Sequence, residues 1–146
     1  MTSPSTPIQV RPKISLPAVL STITTHYSPK IVALLNTAIE FRVSKLKGDF
    51  IWHAHEGTDE LFYVIEGGPL HMGIRHPDSH GKDGEGGVEE TVVLEVGDMF
   101  VVPKGVQHQP RAENEVSVMV VETAGEAITG DRVDSERTAV VEDARV

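Results

Sequence analysis

The chain of 146 residues contains no cysteine. That absence removes disulfides, thiolate-held zinc, iron–sulfur clusters and thiol nucleophiles together. Any metal must therefore be held by nitrogen and oxygen. Positive charge is also short, with 13 Lys and Arg against 22 Asp and Glu and a formal net charge of -9. The basic residues are scattered and leave no stripe to follow a phosphate backbone, so neither nucleic acid nor an anionic membrane is an expected partner. No apolar run approaches the roughly 20 residues that a membrane-spanning helix needs. The opening MTSPSTPIQVRPK lacks the apolar core of a signal peptide. A soluble, cytoplasmic protein is the expectation, of a length that suits one domain with a single core.

Three regions differ in texture. Residues 1–14 are rich in Ser, Thr and Pro and read as an extended N-terminal arm, in which IQV is able to add an edge strand to a partner. Residues 15–124 hold the folded body, and residues 125–146 read as a surface tail. Within the body, ISLPAVLSTI is ambiguous between a short helix and irregular structure. YSPKIVALLNTA carries helix punctuation, with Ser28 as N-cap, Pro29 at the first helical position and Ile31, Leu34 and Leu35 on one face. One short helix is expected near residues 29–36. From Ile39 onward, short apolar or alternating segments divided by turn residues predict eight strands: IEFRVSKL, FIWHAH, ELFYVIE, LHMGIR, EETVVLEV, DMFVVP, HQPRA and VSVMVVET. Eight is a jelly-roll count. HPDSHGKDGEGG reads as a long polar hairpin loop.

The stretch GDFIWHAHEGTDELFYVIEG places polar groups among residues suited to burial. On a strand, residues two apart share a side, so His53 and His55 project together and Trp52 and Ala54 face away. A turn containing Gly57 returns the chain so that Glu60 starts the next strand beside the pair, with Phe62 and Val64 on the same interior face. Two imidazoles and a carboxylate converging on one buried point make sense around a divalent cation, whose charge offsets their desolvation. Further on, in GDMFVVPKGVQHQP, Gly97-Asp98 supplies a tight turn, and Pro103 and Gly105 reverse the chain before His108 opens another strand.

These residues resemble the two motifs of the cupin superfamily. The first runs here as Gly48, four residues, His53-Ala54-His55, four residues, Glu60, six residues, Gly67; the second as Gly97, Pro103, Gly105 and His108. Two departures stand out: Gly48 lies one residue closer to the histidines than the family pattern, and Ala112 stands where the family has Asn. The motifs span Gly48 to Ala112, and the wider pattern is similar to small single-domain cupins of the type labelled mannose-6-phosphate-isomerase-like. The resemblance implies an all-β, single-domain cupin jelly-roll barrel with one or two short N-terminal helices, forming a homodimer. It implies one divalent transition metal per chain, iron, manganese, nickel or zinc, held by His53, His55, Glu60 and His108. Three neutral imidazoles and one carboxylate leave such a site near +1 with two open octahedral positions, to which an anionic or chelating substrate has access.

Plainer readings stand beside these. The histidines are alternatively hydrogen-bonded core residues in a barrel that has lost its metal. Glu56 and Asp59 compete with Glu60 as the carboxylate. His71, His76 and His80 lie on or near the polar loop and read as solvated surface, whereas Arg42, Gln109, Arg111 and Met119 are candidates to border the pocket. Trp52, Phe62 and Tyr63 read as core or dimer interface. The functional expectation is a metal-dependent enzyme acting on a small oxygen-rich molecule by isomerase, lyase or dioxygenase chemistry. The alternative is a non-catalytic binding or sensing cupin.

Overall fold

The computed structural model describes residues 7–76, 88–132, 135–137 and 141–145. Its spine is a 17-residue strand, β7 (Gln107–Thr123), with other strands built on both of its halves. Numbered in chain order, these elements are α1 (Leu16–Ser21), β1 (Lys30–Leu35), β2 (Ile39–Asp49), β3 (Glu60–Gly67), β4 (Leu70–Arg75), β5 (Glu89–Leu94), β6 (Met99–Val102) and β8 (Glu142–Asp143). The first half of β7 pairs with β4 from Gln107↔Arg75 to Arg111↔His71. Its second half lies between β2 and β3, through Val118↔Ser44 on one side and Val118↔Val64 on the other. Exposed Glu113, Asn114 and Glu115 separate the halves. β5 extends the sheet beyond β4, β1 and β8 extend it beyond β2, and β6 pairs with β3. The result is an all-β jelly roll with one short helix.

Side-chain alternation decides what faces the barrel interior. On β3, Glu60, Phe62 and Val64 are buried and the residues between them are not, as the expected parity requires. The main core joins Leu46, Phe62, Val64, Leu70, Met72, Val116 and Val118. A second apolar cluster lies outside the sheet, where Val19, Leu20 and Ile23 pack with Val32 and Val43. The helix that covers it starts at Ser15, whose side chain accepts a hydrogen bond from the Ala18 N–H, with a proline in its first turn.

Three expectations are corrected. The helix expected near residues 29–36 is strand β1: Ile31, Val32 and Leu34 suit a strand as well as a helix face, and pairing with β2 decides between them. Asn36 and Thr37 follow in left-handed conformations (φ 52° and 54°), closing a tight turn with Ala38 N–H donating to Leu35 C=O. FIWHAH is not a regular strand. It crosses the barrel with one bridge, in which the backbones of His53 and His108 exchange hydrogen bonds of 3.1 and 2.9 Å. The segments HQPRA and VSVMVVET fuse into β7.

The segment after Thr123 is also more than surface. Thr129 is fully buried, β8 lies parallel to β1, and Asp131 grips Ala54. Its N–H donates to Ala54 C=O and its side chain accepts from Ala54 N–H, both at 2.9 Å. Residues 77–87, which include most of the expected polar loop and His80, lie outside the described residues. No helix among the described residues is long and apolar enough to cross a membrane.

Candidate metal centre

Four side chains from three parts of the chain converge inside the barrel. His53 and His55 come from the irregular crossing, Glu60 from the first position of β3 and His108 from the second position of β7. All four are buried, and one ligand-type atom from each lies within 4.8 Å of every other. The intervening turns make this convergence possible. Gly105 takes a left-handed conformation (φ 79°) and donates its N–H to His55 C=O at 2.8 Å, tying the corner before His108 to the histidine pair. Gly130 lies so close to Ala54 C=O that a Cβ there would collide with it.

Two of the histidines have a defined tautomer. The His53 Nδ1 lies 2.9 Å from Ile51 C=O and the His108 Nδ1 3.0 Å from Val106 C=O. A carbonyl only accepts, so each Nδ1 carries the proton and each Nε2 is left with a lone pair. The His108 Nε2 points at Glu60 Oε1 from 3.0 Å, and His55 Nε2 lies 3.1 Å from Glu60 Oε2, off the line of a hydrogen bond. A lone pair facing a carboxylate oxygen in a buried site needs a proton or a cation between them. Metal–ligand bonds of about 2.1 Å give donor–donor edges of roughly 3.0–3.4 Å, the range in which the His108 and His55 Nε2 atoms stand from Glu60, with all four donors within 4.8 Å of one another. The donor set therefore fits a divalent transition ion.

The electrostatics agree. Burial, with the neighbouring His108 acting in the same sense, pushes the His53 pKa down to about 4, which keeps it in the neutral form that ligates. Burial acts on His55 in the same sense, but its contact with Glu60 and the nearby Glu126 outweigh it and raise the pKa. Burial alone would raise Glu60, yet its contacts with His108 and His55 hold it well below the usual carboxylate range. Glu122 is pushed up to about 10, first by burial and then by the charge of Glu60.

Around this cluster stand Glu40, Ser44, Glu122 and Glu126, which sequence reasoning did not single out, and Arg42, which it named as a candidate to border the pocket. The His55 Nδ1 faces Glu122 Oε2 at 3.7 Å and Glu126 Oε2 at 3.6 Å. Arg42 bonds Glu40 at 2.6 Å, Glu122 at 3.1 Å and the Glu126 carbonyl at 2.8 Å. A cavity of about 60 Å³ adjoins His53 and Glu60, with Arg42, Ser44 and Glu122 on its wall. The signal was present in the even positions of β2, where Glu40, Arg42 and Ser44 share the parity of core residue Leu46. Among the other candidates, Gln109 bonds the Phe50 carbonyl, Arg111 bonds Thr91 and Met119 packs in the outer cluster. Glu56 and Asp59 are exposed, and Asp59 instead caps the Lys104 N–H at 2.9 Å. Trp52 stacks under Arg75 at 3.9 Å, while His76 is exposed against Glu90. No second group of metal-ligand type is present among the described residues.

A jelly-roll barrel with three imidazoles and a carboxylate gathered at one interior point defines a class of small metal-site β-barrel. Residues 42–123 match the Cupin domain family, more than half of the chain, and the chain belongs to it. A cupin-2 domain containing protein from Shewanella frigidimarina NCIMB 400 is 34% identical, covering 75% of this chain and 93% of that one with a TM-score of 0.63. Protein NMB1881 from Neisseria meningitidis is 30% identical over 76% of this chain and 98% of that one, with a TM-score of 0.58. Uncharacterized protein YdbB of Bacillus subtilis (strain 168) is 35% identical over 71 residues, 49% of this chain and 51% of that protein. The chain thus spans about half the length of the curated relative it matches.

Proposed function

We propose that the protein is a metal-dependent cupin enzyme acting on a small organic molecule by isomerase, lyase or dioxygenase chemistry. His53, His55, Glu60 and His108 would hold one divalent transition metal per chain. The observation that carries this reading is the buried convergence of the four side chains, with the Nδ1 atoms of His53 and His108 held by backbone carbonyls so that their Nε2 atoms are the ones left for a metal. Such an ion, when bound, polarises a carbonyl or acidifies a water or hydroxyl. The chain's own residues supply the rest. Ile51 and Val106 carbonyls hold the tautomers of His53 and His108, Arg42 keeps Glu122 in place, and the barrel wall excludes bulk water. Glu122, kept protonated by its surroundings, has an unpartnered Oε2 beside the cavity and is the group placed to hold or pass a proton there.

A homodimer is part of this proposal, supported by the exposed Met99 and Val101 on β6, which pairs only with β3. The cavity's small size also suits a non-catalytic binder, which would bind ligand without turnover. Elemental analysis of protein purified without added metal tests the central claim. About one transition metal per chain is expected, by the stoichiometry of one donor set, and His108→Ala is expected to remove it from a barrel that stays folded. Wild-type protein free of transition metal after exposure to iron, manganese, nickel and zinc would refute it.

A further inference from the structure

The cavity beside the histidines has a wall that discriminates among ligands. Leu46, Phe50, Phe62, Pro110, Val120 and Ile128, together with Pro29 and the Tyr27 ring, make most of it. Its lone cation, Arg42, is already committed to Glu40 and Glu122 through bonds of 2.6 and 3.1 Å. Tyr27, at the edge, donates its hydroxyl to the Gly48 carbonyl at 2.6 Å. Arg137 lies outside the lining, 5.3 and 5.2 Å from the ring centroids of Tyr27 and Phe50. What remains polar and unpartnered on the wall is small: the Ser44 hydroxyl and Glu122 Oε2, both on buried residues.

Each feature rules on a ligand class. A phosphate or a multiply charged acid would find no free guanidinium or ammonium on the wall. A polyol would bury several hydroxyls against leucine, valine and phenylalanine, leaving most of them without a partner. A flat ring or short chain loses nothing there and gains by removing its own apolar surface from water. The volume of about 60 Å³ lies well below the roughly 300–1,000 Å³ of pockets for drug-sized molecules, which limits the ligand to one ring or a few carbons.

We propose that the ligand of this site is a small, largely apolar molecule with a single metal-directed oxygen, such as a phenol or a cyclic ketone, and not a sugar, a sugar phosphate or a polyhydroxy acid. The inference rests on the metal-centre reading above and adds the substrate class to it. It replaces the anionic or chelating substrate expected from the charge of the four ligands alone, because the wall, and not only the ion, selects what enters. Val120 and Ile128 are the residues that shape the apolar body of the ligand; both are only partly buried, so a larger side chain at either position fills the cavity without opening the core.

Cobalt(II) is the probe, because its visible absorption bands report both its own binding and any oxygen donor that joins it. The full-length protein is loaded with cobalt, and phenol, cyclohexanone, gluconate and glucose 6-phosphate are titrated separately. Phenol and cyclohexanone are expected to shift the bands at concentrations at least tenfold below those needed for gluconate or glucose 6-phosphate. Val120→Phe is expected to retain the cobalt bands and lose the phenol response by tenfold or more. Ile128→Phe serves in the same way if Val120→Phe does not fold. Cobalt bands that respond equally to, or more strongly to, the polyhydroxy acid or the sugar phosphate overturn the ligand class while leaving the metal centre standing. A filled cavity that leaves the phenol response unchanged does the same. Absence of cobalt bands in the wild-type protein overturns the metal centre and this inference with it.

Discussion

Along β2, odd-numbered Phe41 and Val43 turn outward beneath α1, while even-numbered Glu40, Arg42 and Ser44 turn into the barrel. Both faces are buried, yet they stabilise the protein in different ways. The outer face removes apolar surface from water, and Val43 is fully covered by its neighbours. The inner face takes the Arg42 guanidinium and the Glu40 carboxylate out of water, beside the Glu122 carboxyl, and recovers that cost only through their mutual bonds. A barrel does not need such a network to fold; hydrophobic residues of similar volume often serve as well. Its position against His55 and the cavity accounts for it, since Arg42 holds Glu122 where it meets both.

The contrast can be tested by removing one member from each region. Arg42→Ala leaves the buried Glu40 carboxylate without its counter-charge and the Glu122 carboxyl without its donor, and is expected to cost about 3–5 kcal/mol in urea unfolding. A cost no greater than that of an outer-face truncation would erase the distinction drawn here. Acid sharpens it further. In metal-free protein His53 titrates near 4, whereas the unfolded chain takes up that proton near pH 6.5. The unfolded state then binds more protons across this window, so stability falls as pH drops from about 6.5 to 4, by about 3 kcal/mol in full. His55, shifted upward, acts in the opposite sense and gains stability as pH falls through its folded value. Unfolding curves collected at several pH values should therefore show a shallower acid loss in His53→Asn than in the wild type. The smallest effect belongs outside the barrel: Val43→Ala should cost about 2 kcal/mol through lost burial and a small void. Its metal content, measured on the same sample, should stay unchanged.

How far the sequence carried the reading depends on how local each determinant is. His53, His55 and Glu60 are separated by a short turn, so spacing foretold that they meet, whereas His108, behind its Pro-Gly corner, was joined to them only by the resemblance to the cupin motifs. Glu122 and Ser44 were not named because their role arises only when β2 and β7 pair across Ser44↔Val118 and Glu40↔Glu122, a register that no short window contains. The reading of residues 29–36 failed because Ser28-Pro29 and an apolar run satisfy a helix start and a strand equally, and the β2 partner settled the matter. FIWHAH has the alternation of a strand, yet among the described residues only its His53 forms a ladder bridge: the Ala54 backbone goes to Asp131, the His55 carbonyl to Gly105, and the Phe50 and Ile51 carbonyls to the side chains of Gln109 and His53.

The grip of Asp131 on Ala54 spans 77 residues of chain. During synthesis the two histidines therefore emerge from the ribosome well before the clasp that steadies the backbone between them. If the proposed ion binds here, protein clipped by a protease between Thr123 and Asp131 should release it faster than the intact chain, because the backbone between the two histidines loses its clasp.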